Sequence, residues 1–234
     1  MSALPIDLYY WPTPNGWKVS ILLEELELPY TVHYVNIGAG DQFKPDFLAI
    51  APNNRMPAIV DPQGPDGAPI SIFESGAILQ YLARKHGKFY GRNERERVAV
   101  DEWVMWQMGG LGPMLGQNHH FNVYAPEDVA YAKRRYTDET HRLYGVLDSR
   151  LEGRNFIVDA YSIADMACVG WVTGWERQKM DIDEFPNIKR WMEALKARPA
   201  VARGLALGLE ERDKMKLASD KDQQAILFGQ RARR

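Results

Sequence analysis

The sequence predicts an α/β domain with a mixed sheet over residues 1–87, a linker at 88–94, an all-helical domain over 95–208 and a C-terminal tail at 209–234. Three observations predict it. Short strand-forming runs alternate with helical stripes as far as about His86. The connections between those runs are first long and then short, which demands both parallel and antiparallel pairing. After Glu94 no convincing strand occurs, and apolar residues recur only at helical spacing.

Ile6-Asp7-Leu8-Tyr9-Tyr10 is a run of strand formers ended by Trp11-Pro12-Thr13-Pro14. Val19, Leu22, Leu23 and Leu26 then mark an amphipathic helix that stops at Leu28-Pro29. Tyr30 to Val35 reads as a second strand, and a polar loop, Gly38-Ala39-Gly40-Asp41-Gln42, follows it. Phe43 to Ile50 forms a short, poor helix. Ala58-Ile59-Val60-Asp61 is a buried strand, residues 62–69 with their prolines and glycines are a turn, and Ile70-Ser71-Ile72-Phe73 is the strand after it. Glu74-Ser75-Gly76 begins a helix that runs to about His86 and ends at Gly87. The order β-α-β-α-β-β-α requires a crossover in its first half and a hairpin in its second. A thioredoxin-like fold has that arrangement.

In the second domain Trp103, Val104 and Met108 begin one stripe, Tyr136, Leu143, Leu147 and Leu151 another, and Ile188, Trp191, Met192 and Leu195 a third. Ile163 to Trp175 is apolar almost all round, as a helix in the centre of a bundle is. The tail is charged, with a small apolar patch at Ala225-Ile226-Leu227-Phe228 that either docks on the body or stays loose.

Composition bounds the function. The chain has 234 residues, 45% hydrophobic and 26% charged, with a formal net charge of −2. That balance gives no electrostatic reason to expect nucleic acid or an anionic membrane as partner. No apolar run approaches the ~20 residues a spanning helix needs. The opening residues lack the charged and apolar regions of a signal peptide, so a cytoplasmic protein is expected. The single cysteine, Cys168, excludes an internal disulfide, a CxxC pair and a zinc site built from cysteines. It falls in the all-apolar helix, where a cysteine behaves as a small inert hydrophobe. His119 and His120 are adjacent and cannot face one metal together on a helix; with no HExxH present, no metal is assigned.

Four segments carry candidate chemistry. Met56-Pro57 precedes a buried strand. A cis bond there would turn the Met56 backbone outward to pair with an extended peptide, whereas a trans proline would simply open the strand. Glu74-Ser75-Gly76 starts a helix. Its N–H groups and the Ser75 hydroxyl suit a carboxylate and Glu74 suits an ammonium, together an amino acid zwitterion; plain N-capping by Ser75 is the alternative. Thr13-Pro14-Asn15 opens the first helix, where a hydroxyl and an amide either donate to a thiolate or only cap. Tyr161-Ser162-Ile163-Ala164-Asp165 has capping-box spacing, with Asp in place of the usual Glu or Gln, and is read as structural.

Together, Thr13-Pro14-Asn15-Gly16, Pro52-Asn53-Asn54-Arg55-Met56-Pro57-Ala58-Ile59-Val60 and Phe73-Glu74-Ser75-Gly76-Ala77-Ile78 resemble a glutathione transferase. Tyr161 to Asp165 is similar to that family's capping motif. The stretch from Gly109 to Phe121, GGLGPMLGQNHHF, resembles the bacterial Nu-class transferases, which reduce disulfides. The likeness covers about residues 5–208 and leaves the tail unexplained. It implies a cis Met56-Pro57 bond, with the Met56 backbone on the cysteinyl unit of glutathione. Glu74 and Ser75 would hold the γ-glutamyl end, and Gln42, Lys44 and Arg55 would lie near the glycyl carboxylate. Thr13 and Asn15 would face the sulfur, Thr13 replacing the Tyr, Ser or Cys of other classes. Arg135, or its neighbour Arg134, would reach the ligand from the helical domain. The resemblance also implies a homodimer.

The expected activity is therefore glutathione-dependent disulfide reduction, the reactive thiol coming from bound glutathione, reduced or oxidised, as cosubstrate. Conjugation to electrophiles, peroxide reduction and a non-catalytic regulatory role on the same fold are the alternatives.

Overall fold

The computed structural model describes residues 4–215 and 219–230. Part of the N-terminal segment bearing on a signal peptide, and parts of the tail, therefore lie outside the described residues. The chain divides into two compact units, residues 1–78 with 203–234 and residues 79–202.

The first unit is built on a four-stranded sheet of order β2-β1-β3-β4. Strand β1 (Ile6–Tyr10) buries Ile6, Leu8 and Tyr10 and alternates them with the half-buried Asp7 and Tyr9, the period of two that one covered face requires. It pairs in parallel with β2 (Tyr30–Tyr34), Leu8 opposite Val32. On its other side it pairs antiparallel with β3 (Ala58–Asp61), Leu8 opposite Ile59. Strand β4 (Ile70–Phe73) completes the antiparallel half, Ile59 opposite Ile72. The mixed pairing follows from the connections: the parallel pair is bridged by helix α1 (Pro14–Glu25), the antiparallel pair by a turn. Within that turn Pro65–Gly67 forms a 3-10 segment.

Helix α1 starts at the N-cap Thr13, whose hydroxyl accepts from the Gly16 amide, with Pro14 at the first helical position. Gly16 is required by space: a Cβ there would stand 2.2 Å from the Trp11 carbonyl oxygen. The segment expected to be one poor helix from Phe43 is two pieces, a 3-10 turn Asp41–Phe43 and α2 (Pro45–Ile50). Pro45 opens α2, because proline suits a first helical turn and not an interior. Helix α3 is Ser75–His86.

The last residues return to this unit. Gly204 of α9 (Pro199–Ala206) lies so close to α1 that a Cβ would stand 2.7 Å from the Ile21 backbone, and Ser20 Oγ donates to the Gly204 carbonyl at 2.7 Å. Helices α10 (Leu209–Asp213) and α11 (Lys221–Phe228) follow. The tail docks: a Cβ at Gly38 would stand 3.1 Å from Met215 Sδ, and one at Gly40 3.7 Å from Ile226 Cγ2. Asp220 caps α11, accepting from the amides of Asp222 and Gln223.

The second unit has no strand among its described residues. Helix α4 (Glu94–Trp106) runs through a π-helical turn, Gln107–Leu111, into α5 (Gly112–His119) and a second π-helical turn, His120–Tyr124. Helix α6 (Ala130–Leu151) buries Leu143, Leu147 and Leu151. Helix α7 (Ile163–Val172) buries nearly every side chain, and α8 (Pro186–Lys196) buries Ile188, Trp191, Met192 and Leu195. The capping box is present as read. Ser162 Oγ accepts from the Ala164 amide at 3.2 Å, and Asp165 Oδ2 accepts from the Ser162 amide at 3.0 Å. Asp165 does more than cap. Its Oδ1 also takes the Ile157 amide and the Trp191 indole N–H, each at 2.9 Å, tying the segment before α7 and helix α8 to one buried carboxyl. The segment after α3 is fastened to α7 by the Ile163 amide, which donates to the Phe89 carbonyl at 2.9 Å.

Candidate functional site

Three short segments of the first unit meet. The Met56-Pro57 peptide is cis, and Met56 stands just before the ladder, which begins at Ala58. Its sulfur lies against the start of α1: the Trp11 amide donates to Met56 Sδ at 3.1 Å and the Thr13 hydroxyl at 3.8 Å. Thr13 thus serves its own helix with the oxygen's lone pair and offers its proton to a sulfur. Asn15, two residues on and inside α1, is half-buried.

The second junction joins the Asn53 loop to α3. Asn53 Nδ2 donates to Glu74 Oε1 at 3.2 Å. Glu74 is exposed and has φ +70°, a left-handed conformation that a residue with a Cβ rarely adopts. Its carbonyl accepts from the Ile78 amide at 3.0 Å, so Glu74, not Ser75, holds the position before the first helical turn. Ser75 is already inside the helix and buried, which corrects the reading of Ser75 as the N-cap. Strain held at a residue beside a helix N-terminus is a feature of binding sites.

The third junction was missed by sequence reasoning. Lys18 of α1 is 1% exposed, and its Nζ lies 3.4 Å from Ser75 Oγ. The signal was present in its position: Lys18 precedes Ile21 and Leu22 by three and four residues, on the buried face of the helix. A cation on such a stripe is costly unless it is paired.

At the far side of Met56, the exposed Arg55 donates through Nη1 to Gln230 Oε1 at 2.9 Å, and Asn54 Nδ2 donates to the same oxygen at 3.2 Å. Gln230 too was missed, since nothing local links residues 175 positions apart. Gln42 is buried, its Nε2 donating to the Ile37 carbonyl at 3.0 Å and its Oε1 without a hydrogen-bond partner. Lys44 pairs with Asp41 at 2.7 Å on an exposed turn. Arg135 belongs to the second unit, on α6, where Nη1 lies 3.8 Å from Glu139; Arg134 lies over the Tyr131 ring. A cavity of about 760 Å³ in the second unit is walled by Arg84, Tyr90, Asp101 and Tyr161 among others and includes none of these site residues.

Similarity to known proteins agrees with this geometry. The glutathione S-transferase N-terminal domain family matches residues 13–85 and the C-terminal domain family residues 115–199. The chain belongs to the glutathione S-transferase family. Within that family it is 54% identical over 202 residues to the disulfide-bond oxidoreductase YfcG of Escherichia coli, covering 86% of this chain and 94% of that one. It is 39% identical over 215 residues to YghU of the same organism, also called a disulfide-bond oxidoreductase, covering 86% of this chain and 74% of that one. A glutathione transferase from Pseudomonas putida, solved with one glutathione disulfide per subunit, superimposes with TM-score 0.84 at 43% identity, covering 87% of this chain and 91% of that one. One from Burkholderia graminis, solved with two glutathione molecules per subunit, gives 0.82 at 47% identity, covering 87% and 88%.

The thioredoxin-like α/β fold followed by a helical domain is therefore the family's, as the resemblance implied.

Proposed function

We propose that the protein is a glutathione-dependent disulfide reductase whose reactive sulfur belongs to bound glutathione. One observation carries the reading. The chain's single cysteine, Cys168, is fully buried on α7, in the unit that does not contain Thr13, Met56 and Ser75. A protein thiol so placed has no access to a substrate disulfide. The names of the relatives, and the glutathione disulfide held by the Pseudomonas putida neighbour, favour disulfide chemistry.

In this reading domain 1–87 grips the tripeptide. Ser75 and the first amides of α3 receive the γ-glutamyl carboxylate, and Glu74 faces its ammonium. The Met56 backbone, before the cis Pro57, pairs with the cysteinyl unit. Gln42, Lys44 and Arg55 are assigned to the glycyl end, and Arg135, on α6, is assigned to the ligand as the family resemblance implies. Thr13 and Asn15 donate to the sulfur. A free thiol with a pKa near 8.5 is only a few per cent thiolate at pH 7, so donors at a helix start raise the reactive fraction. The thiolate attacks one sulfur of the substrate disulfide, forming a glutathionyl mixed disulfide and expelling one thiolate. A second glutathione thiolate attacks the glutathionyl sulfur and expels the other. Two glutathiones are oxidised to one glutathione disulfide, and one substrate disulfide is reduced to two thiols. The protein contributes position and electrostatics.

The proposal extends to a homodimer, as in the family, and to the cytoplasm, where the glutathione pool is reducing. A second reading, conjugation, is favoured by the structural neighbour Ure2p, solved with S-p-nitrobenzylglutathione. Turnover of Cys168→Ala on a mixed disulfide, a chloronitrobenzene and a hydroperoxide separates the readings. Disulfide reduction at the parent rate is expected. Abolished reduction in the folded variant would refute the ligand-sulfur mechanism.

A further inference from the structure

We propose that the chain beyond Gly208 is a strap that closes over the glycyl end of the glutathione site and is released when the tripeptide binds. The inference rests on the reading that Gln42 and Arg55 receive that end of the ligand.

The chain changes character at Gly208. Up to Leu207 it is fixed to the body of its unit. Gly204 is pressed against the Ile21 backbone, Ser20 Oγ donates to the Gly204 carbonyl at 2.7 Å, and Tyr10 Oη donates to the Leu207 carbonyl at 3.1 Å. Gly208 then turns the chain with φ +68°, at a place where a Cβ would also stand 2.8 Å from the Tyr34 ring. Beyond it neither α10 nor α11 buries a residue. A segment with so few buried contacts opens far more readily than the core it rests on.

What that segment touches is the face assigned to the ligand. Arg212 of α10 lies over the Trp17 ring at 5.7 Å, at the start of α1. A Cβ at Gly38 would stand 3.1 Å from Met215 Sδ and 3.2 Å from Gln223 Oε1, and one at Gly40 3.7 Å from Ile226 Cγ2. Gln230 accepts from Arg55 at 2.9 Å and from Asn54 at 3.2 Å. The strap therefore lies on the loop leading to one residue assigned to the glycyl carboxylate, the buried Gln42, and holds the other, Arg55. Its closure is imperfect. Gln42 Oε1 and Gln223 Oε1 are buried with no hydrogen-bond donor among the described residues, and a buried unpaired carbonyl opposes the closed state. A carboxylate outcompetes an amide oxygen for a guanidinium, so the ligand has the differential affinity that a population shift requires. The alternative is a tail docked permanently, which would be indifferent to the ligand.

The test uses the full chain. Gly38→Leu puts a side chain where Met215 and Gln223 now lie and wedges the strap away. Calorimetry is expected to show glutathione binding roughly threefold to tenfold tighter than in the parent, the gain from freeing a site whose strap is closed roughly 70–90% of the time. γ-Glutamylcysteine, which has no glycine, should change less than about twofold. Hydrogen exchange is the second readout. Saturating glutathione should speed exchange of the α11 amides in the parent, and in Gly38→Leu they should exchange fast with or without it. Ile226→Asp detaches the same helix from its own side; it should reproduce both results, and it carries the test if the leucine variant does not fold. Unchanged affinity for glutathione, equal tightening toward both ligands, or α11 amides that exchange no faster with glutathione overturn the proposal. If the parent binds no glutathione at all, the functional reading falls and this inference with it. If it binds glutathione and the strap does not respond, this inference alone fails.

Discussion

Arg55 donates to Gln230 across 175 residues of chain, Nη1 to Oε1 at 2.9 Å, and Asn54 shares the same acceptor. A planar oxygen held by a guanidinium and an amide is what a terminal carboxylate would also be, and a carboxylate is the stronger acceptor. If Arg55 receives the glycyl carboxylate as proposed, the tail competes with that end of the ligand for the same donors. Gln230→Ala is expected to tighten glutathione binding by roughly threefold to tenfold, the cost of displacing one such contact. Binding of γ-glutamylcysteine, which lacks the glycine, should be unchanged. Calorimetry with both ligands decides; equal tightening of both would contradict the competition.

Thr13 has two duties that one substitution removes together. Its oxygen caps α1 and its proton already goes to a sulfur. Thr13→Ala should lower stability by about 1 kcal/mol through the cap. It should also cut the rate of disulfide reduction by roughly tenfold to a hundredfold through the lost donor. Thr13→Ser should restore most of both. Melting curves and initial rates on the same preparations check the pair; a stability loss with an intact rate would leave the hydroxyl with the cap alone.

His119 carries a pH signature. Burial, with the Arg177 charge in support, pushes its imidazole down to about 4 from the ordinary 6.5. Its Nε2 has no hydrogen-bond partner. The unfolded chain binds the proton first, so this group's contribution is whole above pH 6.5 and declines as pH falls toward 4. The loss is about 2–3 kcal/mol. Asp165 works the other way, because burial raises its carboxyl to about 6 against its hydrogen bonds, and its contribution declines as pH rises from about 4 through 6. The two windows overlap, so the diagnostic quantity is a difference. His119→Phe should lose less stability than the parent between pH 7 and 4.5, read from urea midpoints; identical slopes would show that His119 titrates normally.

Asp165→Asn keeps the shape and reverses half the chemistry. The amide oxygen can still take the Ile157 and Trp191 donors, but the NH₂ group would face the Ser162 amide, donor against donor. A cost of about 2–4 kcal/mol is expected. Urea unfolding measures it, and a neutral result would mean that the Oδ2 contacts contribute nothing.

Periodicity made most of the elements legible. Strands β1, β3 and β4, the helix α3, the capping box and the stripe on α8 follow from which residues must be covered, a local pattern written at spacings of two or three to four. Helix α2 was blurred because Pro45 splits what composition alone reads as one segment. Site residues near a helix start, Thr13 and Ser75, could be named from their types, but not their duties. Ser75 reads equally as a cap in the sequence, and the left-handed Glu74 takes that position instead.

The amino-acid sequence alone determined the mixed sheet, the helical second domain, the lone core cysteine and the family. Tertiary structure decided that Met56 offers its sulfur to Thr13, that Lys18 sits under Ser75, and that Gln230 holds Arg55. The division has a physical cause. Burial patterns are set by each segment against water, residue by residue. Contacts spanning 43, 57 and 175 positions depend on where separate elements come to rest, which no local spacing encodes.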